Sequence, residues 1–365
     1  MDYVATLHFV ALLFVASVCN FTFAPVVSYP TGPHPPDSVA VGDFNNDTRL
    51  DIAVTTYRGS NAGVFLGYGN GTFAVQATFS TDYNPWAVTI ADFNNDTRLD
   101  IAVANGFDNN VGVLLGYGNG TFAAQTTFST PSNPWAIAVA DFNNDSRLDI
   151  AVANHDSNTV GVLLGYGNGT FTAQTTFTTG TGPYSVAVGD FNNDTRLDIV
   201  VANFGDNNVG VLLGNGDGTF AAQTTFSAGN NPNWIVVRDF NNDTRLDIAV
   251  TNGPDNTVGV LLGHGNGTFA AQTTFSTGKN PQSLTVGDFN NDNRLDFAVA
   301  NYGTASVSIL LGYGNGTFAA QTTFPTGNNP DGVATGDLNN DNRLDIAVAS
   351  STLGILLNTC YCCAP

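Results

Sequence analysis

Seven copies of one acidic string carry most of the chemistry this chain can offer. DFNNDTRLD and its close variants begin at Asp43, Asp92, Asp141, Asp190, Asp239, Asp288 and Asp337, each 49 residues after the last with no insertion or deletion. Side-chain oxygens fall at loop positions 1, 3, 5 and 9, and the backbone carbonyl of the arginine at position 7 can join them. In chain order the sets are Asp43, Asn45, Asp47, Arg49 and Asp51; Asp92, Asn94, Asp96, Arg98 and Asp100; Asp141, Asn143, Asp145, Arg147 and Asp149; Asp190, Asn192, Asp194, Arg196 and Asp198; Asp239, Asn241, Asp243, Arg245 and Asp247; Asp288, Asn290, Asp292, Arg294 and Asp296; and Asp337, Asn339, Asp341, Arg343 and Asp345. Odd spacing in a tight loop turns alternate side chains inward, and with a bidentate carboxylate or a water the five oxygens reach the six to eight that Ca²⁺ accepts. Mg²⁺ demands a smaller, stricter octahedron and no His/Cys cluster exists for zinc, so the expected cofactor is calcium, up to one ion per repeat. Three Asp against one Arg give each loop a charge of −2. Without a cation such carboxylates repel one another at a cost of several kcal/mol in a partly buried site. An Asx-turn hairpin that merely favours Asp and Asn is the plainer alternative.

A second group is aromatic. NPWAV, NPWAI and GPYSV place Trp86, Trp135 and Tyr184 at equivalent positions 49 apart, with Trp234 displaced by one. Rings beside an Asn-rich rim suit sugar stacking or a protein hot spot, and the same rings could instead pack between structural units. Catalysis is not expected. The four His (His8, His34, His155, His264) occupy unrelated positions, and there is no GxSxG, HExxH or phosphate loop. Glycan acceptors are expected at Asn20, Asn70, Asn119, Asn168, Asn266 and Asn315, with five further Asn-Asp-Thr/Ser sites at Asn46, Asn95, Asn144, Asn193 and Asn242, unless one sequon was simply copied with each repeat.

The scaffold that holds these groups reads as all-β. Every acidic residue is Asp, Glu is absent, and Lys279 is the single Lys, whereas helices draw heavily on Glu and Lys. Hydrophobic residues make up 42% and charged residues 11%, so the chain can bury a large core. A net charge of −20 excludes the Lys/Arg patch that nucleic acid or anionic lipid needs. A period of 49 with several short strands per unit is the signature of a β-propeller, and seven units make a seven-bladed ring of four-stranded blades. In one unit the predicted strands are Ala136–Phe142 (a), Leu148–Asn154 (b), Val160–Gly165 (c) and Thr170–Phe177 (d). The period of two puts Leu148, Ile150 and Val152 on one face, and Phe171 and Phe177 together on another. The last unit has a strand c, Leu353–Asn358, but no strand d, and TFAPVVSY (22–29) matches the missing segment, so the N-terminal strand should complete the seventh blade.

The 15-residue apolar run Val4–Val18 fits a secretory signal and is too short to span a bilayer. With a cut between about Ser17 and Asn20, the domains are 1–19 signal peptide, 20–359 propeller and 360–365 Cys-rich tail, and the mature protein is secreted, without membrane insertion, and monomeric. Asp2 and the lack of Lys or Arg before the run keep an uncleaved anchor as the alternative. Cys19, if retained, could pair with Cys360, Cys362 or Cys363 and staple the closing blade.

DFNNDTRLDIAV followed by VGVLLGYGNGTF resembles the FG-GAP-like repeat, also called VCBS, of integrin α-subunit propeller heads and secreted lectin-like and adhesion proteins. The resemblance covers nearly all of residues 22 to 358. It implies calcium in the loop between strands a and b, on Asp43, Asn45, Asp47 and Asp51 and their six equivalents. The family often has Gly at loop positions 4 and 6, where this chain has Asn and then Thr, Ser or Asn, and a weak site on the order of 10⁻⁴ to 10⁻³ M is expected. In such a ring the a–b and c–d turns share one face, and the b–c and d–a turns, which differ from unit to unit, share the other. The function expected is an extracellular recognition or adhesion module for a protein partner. A lectin using Trp86, Trp135, Tyr184 and Trp234 is the first alternative, and a structural matrix or coat protein the second.

Overall fold

The computed structural model describes residues 21–56 and 58–360. The signal segment, Cys19, Asn20, Cys362 and Cys363 lie outside the described residues. Seven four-stranded antiparallel sheets follow one another around a ring. In the third blade strand a is Pro134–Ala140, b is Asp149–Asn154, c is Thr159–Leu163 and d is Thr175–Thr178. Strand b is buried at every position and strand c at all but its first, while strand d is mostly exposed, so each sheet is driest at its middle. The inner strands of neighbouring blades pack side by side around the central channel.

The core forms between blades. Val111 and Val113 of blade 2 meet Ile150, Val152, Leu163 and Phe171 of blade 3, with Leu148 at the edge. Leu148, Ile150 and Val152 therefore share a face as the alternation predicts. Phe171 and Phe177 do not. Phe171 packs edge-to-face on Phe93 and Phe128 of the preceding blade, whereas Phe177 packs on Phe220 of the next. The reason is that strand d is not continuous from Thr170: Phe171 makes a single bridge to Gly165, and the regular ladder resumes only at Thr175. The irregular residues between them change the parity that a simple alternation assumes. Gly165 is required here because a Cβ would lie 2.1 Å from the carbonyl oxygen of Leu148.

Ring closure follows the sequence. Val27–Tyr29 pairs antiparallel with Leu353–Leu356 in the register Val27↔Ile355, Ser28↔Gly354 and Tyr29↔Leu353, and joins Asp345–Ala349 and Gly332–Gly336 as the fourth strand of the last blade. Phe23 bridges Asn358 as Phe171 bridges Gly165. Cys360, read from sequence as the first residue of a tail, is buried in this seam at 1% exposure and donates its N–H to Asn358 Oδ1. Closure leaves no open sheet edge between the first and last blades.

Candidate functional site

The acidic loops and the c–d turns share one face. The N–H of Gly120 in the second c–d turn donates to the carbonyl of Phe44 in the first a–b loop at 3.0 Å, and Gly169, Gly218, Gly267 and Gly316 repeat the bond to Phe93, Phe142, Phe191 and Phe240. At the seam the chain has no such turn, and Asn358 Nδ2 donates to the carbonyl of Phe289 at 2.8 Å in its place. The sequons Asn70, Asn119, Asn168, Asn266 and Asn315 lie exposed on these turns, and in Asn70 the amide oxygen accepts the N–H and hydroxyl of Thr72.

Within a loop the oxygens divide into two groups. Asp43 accepts the backbone N–H groups of Asn45, Asp47 and Thr48, and Asp47 accepts that of Arg49. Asp51 lies deeper, fully buried, with one oxygen taken by the N–H of Phe44 and the other by that of Gly67 at the end of strand c. Position 9 thus pins the loop to its own blade. Desolvation, eased by those two hydrogen bonds and reinforced by the charges of Asp47 and Asp43, pushes the Asp51 carboxyl up to about 6. Asp100, Asp149, Asp198 and Asp247 behave alike, and Asp296 and Asp345 are pushed to about 7. Loop positions 4 and 6 are both left-handed, φ 57° at Asn46 and 67° at Thr48, and Ser146 and Asn293 take the same turn at 65° and 63°. A β-branched residue there is strained by about 1–2 kcal/mol. The short bond from Thr48 N–H to Asp43 Oδ2, 2.7 Å, holds the strain in place.

Among the described residues no three His, Cys, Asp or Glu side chains close on a common point ready for a metal. The donor set still suits a hard cation in kind, since it is all oxygen, the charges of Asp47 and Asp43 reach the Asp51 carboxyl, and an oxygen that accepts one N–H keeps further lone pairs. Arg196 donates from both Nε and Nη2 to Asp194 Oδ2, whereas the other loop arginines stand farther from their carboxylates. Arg49 Nη1 stands 3.7 Å from Asp47 Oδ2 with both groups solvated, the geometry of a weak surface pair.

The opposite mouth of the channel carries one sequence-equivalent position per blade, the residue after a proline at or just before the start of strand a: Asp37, Trp86, Trp135, Tyr184, Asn233, Gln282 and Asp331, all but Asn233 lining one cavity. In the third blade the ladder skips a residue between Pro134 and Ala136, and this bulge turns Trp135 out of the strand pattern toward the axis. Trp86 stacks on Trp135 at 4.6 Å and 18°, His155 stacks on Trp135 at 4.8 Å, and Tyr184 leans on Trp135 at 4.4 Å. His155 Nδ1 is held by Asp156 Oδ1 at 2.7 Å. Tyr184 in turn stacks on Phe204. The four aromatic residues singled out from sequence all line one cavity of about 60 Å³ and are half-buried; Trp86 and Tyr184 pack on Trp135, whereas Trp234 packs on the core between the fifth and sixth blades. In the fifth blade Trp234, its own N–H bonded to Thr251 Oγ1, lines the cavity, whereas Asn233, the sequence equivalent of the other ring residues, is buried and donates its amide to the carbonyl of Pro281.

Sequence reasoning missed the polar half of this ring. Asp37, Gln282 and Asp331 line the cavity with Ser38 and Ser283, and Gly332 abuts the Asp37 carbonyl where the first and last blades meet. The signal was present: a proline precedes each of the seven ring positions at the same 49-residue spacing. Burial pushes the Asp331 carboxyl up to about 6. Burial, then the charges of Asp331 and Asp37, drive the Tyr184 hydroxyl far above its usual range, so it stays a neutral donor. Trp135 Nε1 and Ser283 Oγ are buried there without a hydrogen-bond partner. Two further clefts open from the mouth, one of about 440 Å³ along Pro33, His34, Trp86, Tyr302 and Asp331, and one of about 360 Å³ along Trp135, Tyr184, Phe204 and Gln282.

A closed seven-bladed ring of tandem four-stranded units, with a uniform acidic face and an aromatic, loop-rich face, defines a repeat propeller. The model of the FG-GAP-like repeat matches residues 43–103, 92–152, 142–201, 190–250, 239–299 and 288–348, and the chain belongs to that family. No curated protein matches the sequence. Among solved structures it is similar to BBS1N in its complex with ARL6DN, with TM-score 0.65 and 15% identity over 93% of this chain and 97% of that one. It is similar to streptogramin B lyase, TM-score 0.65 and 14% identity over 92% and 98%. An Agrocybe aegerita lectin described as recognising non-reducing terminal N-acetylglucosamine has TM-score 0.56 and 17% identity over 87% and 86%. At such identities the likeness is one of fold.

Proposed function

We propose that the chain is a secreted, calcium-stabilised interaction module that binds a protein partner on the face of the b–c and d–a loops. One observation carries this reading: aromatic and polar side chains that differ from blade to blade converge at a single channel mouth on the face of the variable loops, while the acidic-loop face is nearly invariant. Loops on a rigid scaffold carry recognition, and aromatic clusters with partly satisfied polar neighbours serve as binding anchors. Exposed Phe107, at 69%, and Tyr83 extend the apolar surface beyond the ring. The acidic face serves stability. There Asp43, Asn45, Asp47, the carbonyl of Arg49 and Asp51, with their equivalents, would hold calcium, which would supply positive charge between carboxylates and cross-link each loop.

No catalytic constellation is proposed. The fold itself also serves a lyase and a lectin among similar structures, so the second reading is carbohydrate binding at Trp86, Trp135, Tyr184 and Trp234. The test is capture from cell-surface and matrix extracts in millimolar calcium, with a glycan array beside it, using the native protein and Trp135→Ala. A defined protein partner lost in the variant supports the module. Selective glycan binding lost in the variant moves the function to the lectin reading, and capture unaffected by the variant removes the loop face from either.

A further inference from the structure

The ring at the channel mouth is divided in charge as well as in polarity. Its lining residues include two carboxylates, Asp37 and Asp331, on adjoining blades, and no Lys, Arg or His. The chain has only 10 basic residues in all, and seven of them are the loop arginines of the opposite face. Nothing among the lining residues supplies positive charge to Asp331, which stands half-buried at the seam of the first and last blades. A carboxylate in such a place is costly unless a cation or several donors meet it.

We propose that this cavity is a site for a primary organic cation, an alkylammonium or guanidinium head, held by Asp37 and Asp331 and flanked by the indole and phenol rings. The proposal deepens the loop-face reading and rests on it. The size agrees: about 60 Å³ admits a small charged head group with the first carbons of its chain, and the adjoining cleft of about 440 Å³ along Asp37, Trp86 and Asp331 leaves a path for the rest of the molecule. The chemistry agrees too. A primary ammonium or a guanidinium brings several N–H donors to two carboxylates and the Gln282 carbonyl oxygen, and its carbons lie against aromatic edges. The stacked faces of Trp86 and Trp135 are occupied by each other, so hydrogen bonding to the carboxylates supplies the selectivity. An anion would meet the same two carboxylates and be repelled.

All three tryptophans of the chain lie at this mouth, so intrinsic fluorescence reports on it. The protein is titrated with n-butylamine, with Nα-acetyl-lysine methylamide, and with n-butanol and methyl β-glucoside as neutral controls, and calorimetry gives the affinities. Saturable binding of an amine is expected, with the neutral compounds silent and the affinity at least tenfold weaker in Asp331→Asn and in Asp37→Asn. Asp217→Asn, exposed on the opposite face, should bind as the native protein does, and thermal unfolding of every variant verifies that it is folded. Binding of both amines assigns the site to any alkylammonium, and binding of the lysine derivative alone assigns it to a partner's side chain. Amine affinity unchanged in folded Asp331→Asn and Asp37→Asn, or saturation by the glucoside with the amines silent, overturns the proposal. The loop-face reading fails separately, if Trp135→Ala leaves partner capture intact.

Discussion

On the face of the acidic loops every blade repeats the same bonds: Asp51 to Phe44 and Gly67, Asp149 to Phe142 and Gly165, Asp296 to Phe289 and Gly312. On the opposite face the seven equivalent positions hold Asp, Trp, Trp, Tyr, Asn, Gln and Asp. Both faces are made by one 49-residue unit, so the difference is one of local constraint. A loop whose carboxylate must satisfy two buried N–H groups has little freedom to vary. A bulged residue at the start of an inner strand, pointing to the axis, can vary because the blade does not depend on it. The uniform face builds the ring, and the varied face is free to differ from blade to blade.

Removing divalent metal should separate the faces most widely. At 1 mM free calcium, sites of 10⁻⁴ to 10⁻³ M would stabilise the fold by about 0.4 to 1.4 kcal/mol per loop, several kcal/mol over the ring. EDTA should therefore lower Tm clearly while tryptophan fluorescence of the folded protein stays constant, and a Tm indifferent to EDTA would take calcium out of the acidic face. Asp149→Ala should cost about 3 kcal/mol in urea unfolding, because it strands the buried N–H groups of Phe142 and Gly165. A cost under about 0.5 kcal/mol would mean that position 9 is not the pin described here.

Asn358→Ala tests whether the seam is as well built as the repeats. It removes the bonds to the carbonyls of Phe289 and Leu344 and should cost about 2 kcal/mol. Proteolysis at the first or last blade should then precede cleavage elsewhere. The smallest effect belongs to the varied face. With the Asp331 carboxyl pushed up to about 6, it is ionised at pH 7.5 and mostly protonated at pH 5. Amine affinity should fall about tenfold between those values, near 1.4 kcal/mol, without loss of fold. Asp37 and Tyr184 share the cavity and His34 lines the adjoining cleft, so the same titration on Asp331→Asn, expected to be flat, isolates the group responsible.

Much of this architecture was legible in the residues. Asp at a spacing of 49 sets the number of blades, and TFAPVVSY, the segment absent after Leu353–Leu356, sets the closure. Trp86, Trp135 and Tyr184 stand out because aromatic residues are conspicuous, while Asp37, Gln282 and Asp331 at the same spacing pass for loop residues until the ring is seen. A pattern of two presumes an unbroken ladder, and between the Phe171 bridge and the ladder that resumes at Thr175 the strand is irregular, so Phe171 and Phe177 do not share a face.

What the sequence determined by itself is what depends on local repetition: the all-β class, the strand order within a blade, the number of blades and the family. Each follows from turn residues and apolar alternation within one unit, multiplied seven times. What only the tertiary structure decided is what depends on residues far apart in the chain meeting at the axis. Asp37 and Asp331 are separated by nearly the whole sequence and adjoin because the ring closes on itself. The division of the acidic-loop oxygens between the loop and the blade beneath it was likewise decided by packing, since the N–H of Gly67 that captures Asp51 belongs to another strand.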